Sequence, residues 1–129
     1  MNNYEREIFK LTNKERQKHG LTTLIWNKKL ADVAHDHSQD LALSNTFSHT
    51  GTDGSTPELR VHRANTSIMF MGENISGGRK NPQTAILDWM NSSGHRQNIL
   101  NVDAVYMGVG MVYIHASRYG YYVTQVFGK

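Results

Sequence analysis

The chain has 129 residues, 38% of them hydrophobic and 19% charged, which is typical of one folded, soluble domain. It contains no cysteine, which excludes disulfides, thiolate metal sites and cysteine-based catalysis. The formal net charge is +3 with Lys and Arg thinly spread, so we expect no nucleic-acid partner.

The sequence predicts no membrane-spanning segment and no signal peptide. No apolar run approaches the roughly 18 residues that a transmembrane helix needs. The chain opens directly on a helical pattern, so we expect no signal peptide within it. Whether a targeting or anchor segment precedes Met1 is left open.

Two amphipathic helices are predicted in the first third of the chain. Apolar residues recur at helical spacing over residues 3–19, and Gly20 suits the left-handed position that ends a helix. Residues 21–26 form an apolar connector. Asn27 is a typical N-cap for a second helix over 28–44. The predicted buried side of this second helix comprises Leu30, Val33, Ala34, His37 and Leu41.

The middle of the chain alternates turns with short elements. Residues 45–57 have turn composition, and Pro57 suits the first turn of a short helix over 57–65. The apolar run 68–75 predicts a strand, 76–82 a loop and 83–91 a third helix.

The end of the chain predicts a hairpin. The segment "NSSGHRQNIL" predicts a turn and the start of another short helix. Two β-type runs come next, over 106–115 and 120–128, and the "ASRY" between them indicates a hairpin turn. The "GVG" at 108–110 indicates that the strand bends or closely approaches a neighbouring element. Helices followed by antiparallel strands predict an α+β fold, with residues 1–129 as a single domain.

Five of the seven histidines are interpreted as surface or locally hydrogen-bonded residues. These five are His19, His35, His37, His62 and His115.

The other two histidines lie in glycine-containing turns. His49 is in "FSHTG", with Phe47 as an apolar anchor, and His95 is in "SGHRQ". Between them Glu73 ends an apolar stretch, where a carboxylate is costly unless it is paired or faces water. Two imidazoles and one carboxylate can form a divalent-metal or general-base site. Ser92 lies near His95, but no nucleophile elbow accompanies it.

Several motifs together resemble the CAP superfamily, which includes cysteine-rich secretory, insect antigen 5 and plant pathogenesis-related proteins. They are "LTNKERQKHGLTTLIWNKKLADVAHDHSQDLA", "FSHTG", "GENI", "WMNSSGHRQNIL" and "GVGM…YYVTQVFG". The resemblance covers about residues 8–128 and is greatest to the cysteine-free bacterial branch. It implies a three-layer α-β-α sandwich with a central antiparallel sheet.

The resemblance also implies a cleft lined by a His–Glu–Glu–His tetrad. His49, Glu73 and His95 match three of its members, and Phe47 is expected to pin the His49 loop to the core. The second glutamate would stand three residues after Trp89, where this chain has Ser92. The expected metal ligands are therefore His49 and His95, with Glu73 bonding through water. No cofactor is required, Zn²⁺ binding is expected to be weak, and no catalytic residue is assigned.

The function implied by the resemblance is that of a secreted or cell-surface protein. We expect a monomeric, non-catalytic binding module whose partner is a host or cell-envelope component or a small lipid. A lipid or sterol carrier is the first alternative, since Met69, Phe70 and Met71 could form an apolar groove. The second is a metal-assisted hydrolase that uses His49, Glu73 and His95 to activate water.

Overall fold

The computed structural model describes residues 1–64 and 67–129. Helices and strands occur in mixed order along the chain. The helices are α1 (Asn3–Lys18), α2 (Lys28–Ser44), α3 (Pro57–Ala64), α4 (Pro82–Met90) and α5 (Ser93–Ile99). The strands are β1 (Ile25–Trp26), β2 (Phe70–Gly77), β3 (Tyr106–Tyr113) and β4 (Tyr121–Gly128).

The four strands form one sheet in the order β1-β3-β4-β2. Strands β2, β4 and β3 are antiparallel, as predicted, whereas β1 pairs with β3 in parallel through Ile25 and Trp26. The interpretation of 21–26 as a mere connector was therefore wrong for these two residues. The backbone bonds Ile25 N to Val105 O and Asn27 N to Met107 O hold them in the sheet.

Helices cover both faces of this sheet, which confirms the α-β-α sandwich. Helices α1, α4 and α5 share one apolar core with β3 and β4, in which Ile8, Trp89 and Phe127 are buried. Helices α2 and α3 pack on the opposite face, where Val61 and Val126 are buried. Successive side chains of β4 point to opposite faces of the sheet, so this one strand contributes to both cores.

Helix α2 lies unusually close to the sheet because two glycines face it. A Cβ atom on Gly108 would overlap the backbone nitrogen of Ala31, and one on Gly110 would overlap that of His35. The predicted close approach at "GVG" is thus confirmed. Asn27 caps α2 by accepting from Leu30 N, and Asn45 ends it in the left-handed conformation.

Several boundaries differ from the sequence prediction. Strand β2 runs to Gly77 rather than Ile75, because Ser76 and Gly77 pair with Val123 and Tyr122 of β4. The hairpin strands are shorter at their shared turn than predicted. The last residue of the predicted helix 57–65 lies outside the described residues.

Candidate functional site

Glu73 lies in the middle of β2, at the edge of the sheet, and its side chain is 1% exposed. Its Oε1 accepts from His49 Nδ1 at 2.8 Å, and its Oε2 accepts from Arg60 Nη2 at 2.9 Å. His37 Nε2 lies 4.0 Å from the same Oε1. Both oxygens of this buried carboxylate thus accept a hydrogen bond from a side chain of another segment.

Arg60, on α3, was not predicted as part of the site. Besides Glu73, its guanidinium donates to Ser55 O and to His49 O, each at 2.9 Å. It therefore ties the loop between α2 and α3 to the sheet. A signal for it existed in the sequence, because a glutamate in an apolar strand is costly unless it is paired or faces water, and Arg60 is a cation that follows the turn carrying His49.

His37 was interpreted as surface or locally hydrogen-bonded, and the structure places it against the site carboxylate. Its side chain is 1% exposed, and its Nε2 donates to Ser48 O at 2.8 Å. Burial lowers the pKa of His37, and the charge of Arg60 lowers it further, against the opposing effect of Glu73. The neutral ring thus fixes the loop one residue before His49.

The ring of His49 is held from one side and open on the other. Its side chain is 50% exposed, and Nδ1 is the atom that contacts Glu73. Because a carboxylate accepts, Nδ1 carries the proton and Nε2 of a neutral ring carries a lone pair.

Phe47 does not pin the loop that carries His49 to the core, as had been expected. It is 44% exposed and packs edge-on against Tyr119, with ring centroids 5.5 Å apart.

His95 lies on α5, on the other side of strand β2. Its Nδ1 is 2.9 Å from Ser92 Oγ, and its carbonyl accepts from Asn74 Nδ2 at 3.2 Å. Partial burial lowers the pKa of His95, and the nearby charge of His49 adds to this effect. Ser92, which stands where the tetrad would have its second glutamate, is therefore a hydroxyl partner of His95.

A cleft of about 280 Å³ opens beside His95. It is lined by residues 75–79 at the end of β2 and by Asp88, Trp89, Ser92 and His95. A larger cavity of about 530 Å³ lies between α3 and the start of β2, where His62, but neither His49 nor His95, is part of the lining.

The described residues do not fit a resident zinc site. Within 1–64 and 67–129, no three His, Asp or Glu side chains form a group that could hold a metal ion. Both oxygens of Glu73 are already engaged by Arg60 and His49. Two imidazoles remain, whereas zinc sites in proteins have three or four protein ligands.

Within residues 1–64 and 67–129, no helix is both long and apolar enough to cross a bilayer.

This fold, with a histidine-bearing cleft at the sheet edge, defines a CAP-type domain. Residues 9–127 match the sequence profile described as "CAP: Cysteine-rich secretory protein family", and the chain belongs to this family.

Two Bacillus subtilis proteins are similar in sequence. YkwD is 40% identical over 84% of this chain and 42% of its own length. The membrane protein YlbC is 37% identical over 83% of this chain and 31% of its own length. The chain thus spans less than half of the length of either relative.

Solved structures show the same fold. An extracellular SCP-domain protein of Bacillus anthracis aligns with a TM-score of 0.83 and 35% identity, over 99% of this chain and 41% of its own. An outer surface protein of Borrelia burgdorferi aligns with a TM-score of 0.91 over 99% of this chain and 93% of its own. With 23% identity, the Borrelia protein shows the fold alone.

Proposed function

We propose that this CAP domain is a non-catalytic binding module that works outside the cell or at its surface. Its partner is a component of the cell envelope or of a host, held at the sheet edge between His49 and His95. The similarity to an extracellular Bacillus anthracis protein supports the location.

The observation that carries the non-catalytic role is the state of Glu73. A general base needs a lone pair within reach of the proton that it removes. Glu73 accepts from both Arg60 and His49, and its side chain is 1% exposed. These contacts favour a carboxylate that positions the His49 ring and loop over one that activates water.

The test is binding of the purified domain to the insoluble envelope fraction of Bacillus subtilis. His49→Ala and His95→Ala should each weaken sedimentation with this fraction. His35→Ala is the matched control, because the His35 side chain is also 50% exposed but lies on α2 beside Asp36. Equal binding by all three variants would contradict the proposed contact site. Casein cleavage that His95→Ala abolishes would instead favour the hydrolase.

A second candidate function, a lipid or sterol carrier, is favoured by the larger cavity. Leu59, Ile68, Met69 and Phe70 line it, and Met69 is 64% exposed. The test is displacement of a fluorescent fatty acid. Met69→Asp should abolish binding if lipid enters here, whereas Leu87→Asp, at a residue 60% exposed on α4, should not.

A further inference from the structure

The cleft beside His95 carries no net charge. Its lining includes one cation and one anion, and these are paired, with Arg79 Nε 2.6 Å from Asp88 Oδ2. A neutral site does not attract phosphates, sulfates or ammonium groups over an uncharged ligand.

The same cleft is rich in groups that can bind hydroxyls. The Arg79–Asp88 bond uses one donor and one oxygen, and the guanidinium has four more N–H donors while the carboxylate has a second oxygen. Both side chains are nearly half exposed. Ser76 and Ser92 add two hydroxyls to the lining. Such closely spaced donors and acceptors match a ligand with several neighbouring hydroxyl groups.

Two exposed aromatic rings contact Gly77, a lining residue of the cleft, on the face of the edge strand β2 that carries α2. A Cβ atom on Gly77 would lie 3.0 Å from Phe47 and 3.1 Å from Tyr119, so both rings rest on the strand backbone. Phe47 is 44% exposed and Tyr119 is 36% exposed. An aromatic face is slightly negative and attracts the weakly positive C–H groups on the flat side of a sugar ring.

A peptide strand is a poor fit to the same edge. The carbonyl oxygens that β2 directs away from β4 are already occupied at two positions. Ile75 O accepts from Trp89 Nε1 at 3.0 Å, and Glu73 O accepts from Asn98 Nδ2 at 3.1 Å. A β-strand could not add here without displacing these side chains.

We propose that this cleft binds an uncharged carbohydrate chain, with a sugar ring against Phe47 and Tyr119 and hydroxyls at Arg79, Asp88 and Ser92. This inference rests on the proposed function, for which it names the class of ligand. The site is formed by residues other than His49 and Glu73, so the two ideas can fail separately.

The experiment is titration calorimetry of the whole chain with two uncharged probes, N,N′,N″-triacetylchitotriose and cellotriose. At least one should bind. Tyr119→Ala and Asp88→Asn should each weaken that binding by about three- to tenfold, the effect of losing one ring or polar contact. The matched controls are Tyr113→Ala, at a tyrosine 49% exposed on β3, and Asp32→Asn, at the exposed ion pair on α2. Both controls should bind as the parent does.

The possible outcomes separate this inference from the proposed function. Failure of both probes to bind, together with envelope binding that depends on His49 and His95, overturns the carbohydrate site alone. Probe binding that depends on Tyr119 and Asp88, without histidine-dependent envelope binding, supports the site and overturns the proposed contact. Tighter binding of the anionic probe polygalacturonate than of either neutral probe also overturns the inference.

Discussion

Strand β2 separates two unlike halves of the same site. On the side of α2 and α3, a buried carboxylate, a guanidinium and two imidazoles are joined around Glu73. On the side of α4 and α5, His95 contacts a serine hydroxyl and the lining charges cancel. One half is a connected network of charges, whereas the other is an open and neutral cleft.

This difference indicates a division of labour. Ionic contacts around Glu73 hold the loop of residues 45–56, which has turn composition and little apolar burial of its own. Phe47, the aromatic residue in that loop, remains 44% exposed. The neutral half needs no such restraint because a packed tryptophan already fixes its helices. The charged half thus holds the loop of residues 45–56 in position, and the neutral half leaves space for a ligand.

The largest expected effect removes the support of the neutral half. Trp89 is 1% exposed, and its Nε1 donates to Ile75 O. We expect Trp89→Ala to lower the free energy of unfolding by about 3–5 kcal/mol, through lost burial and a residual cavity. Urea denaturation measures this. Leu87→Ala, at an exposed position of the same helix, is the control and should change stability little. A parent-like midpoint for Trp89→Ala would refute its structural role.

The next largest effect breaks the charged half. Glu73→Gln keeps the shape of the side chain but leaves Arg60, whose side chain is only 12% exposed, without its counter-charge. We expect a loss of about 2–3 kcal/mol in the free energy of unfolding. Glu58→Gln on α3 is the control.

A double-mutant cycle tests whether Glu73 and Arg60 act as a pair. Adding Arg60→Gln to Glu73→Gln should cost much less than Arg60→Gln costs alone, because the partner charge is already absent. Additive effects would show that Arg60 stabilises the loop through its carbonyl contacts rather than through Glu73.

The sequence was informative where a pattern or motif carried the chemistry. Helical periodicity predicted α1 and α2, and the glycines of "GVG" indicated a bend or the close approach of a neighbour, which the structure identifies as α2. The motif set led to Glu73 and His49, which the structure places 2.8 Å apart. Local patterns and family motifs are what a single sequence displays.

The sequence did not predict hydrogen bonds whose partners are brought together only by the tertiary structure. His37 lies on the buried side of α2, but nothing local shows that its Nε2 reaches Ser48. Arg16 has the sequence position of a cation at the end of α1, yet it is 1% exposed and donates to the carbonyls of Thr22, Ile99 and Asn101. Those acceptors are up to 85 residues away along the chain, beyond any local pattern.

A smaller effect concerns the pH dependence of the charged half. The folded-state pKa of His37 is lowered, so below about pH 6.5 the unfolded chain takes up a proton before the folded one does. Stability is therefore retained above pH 6.5 and lost as pH falls toward the folded pKa, by at most about 1.4 kcal/mol per pH unit for one proton. His37→Gln should flatten this slope.

The measurement is the free energy of unfolding between pH 7 and 5.5, with His35→Gln as the control. Glu73, Arg60 and Asp40 face His37 and set its charge environment, and none of them is altered in either variant. The slope is compared rather than the absolute stability, because the substitution also removes the bond to Ser48. Equal slopes in the parent and in His37→Gln would show that another group controls the dependence.

The smallest expected effect is on metal binding, and it depends on both halves together. With Glu73 committed to Arg60 and His49, a divalent ion would have only two neutral imidazole nitrogens as protein ligands. Such an ion stays largely hydrated and poorly neutralised, so we expect micromolar or weaker Zn²⁺ affinity that weakens with acidification, because the ligating nitrogens must be unprotonated. Titration calorimetry with the parent, His49→Ala and His35→Ala measures it. Nanomolar affinity that only His49→Ala removes would mean that the Glu73 network opens to supply a third ligand, and the division between a fixed half and an open half would then be wrong.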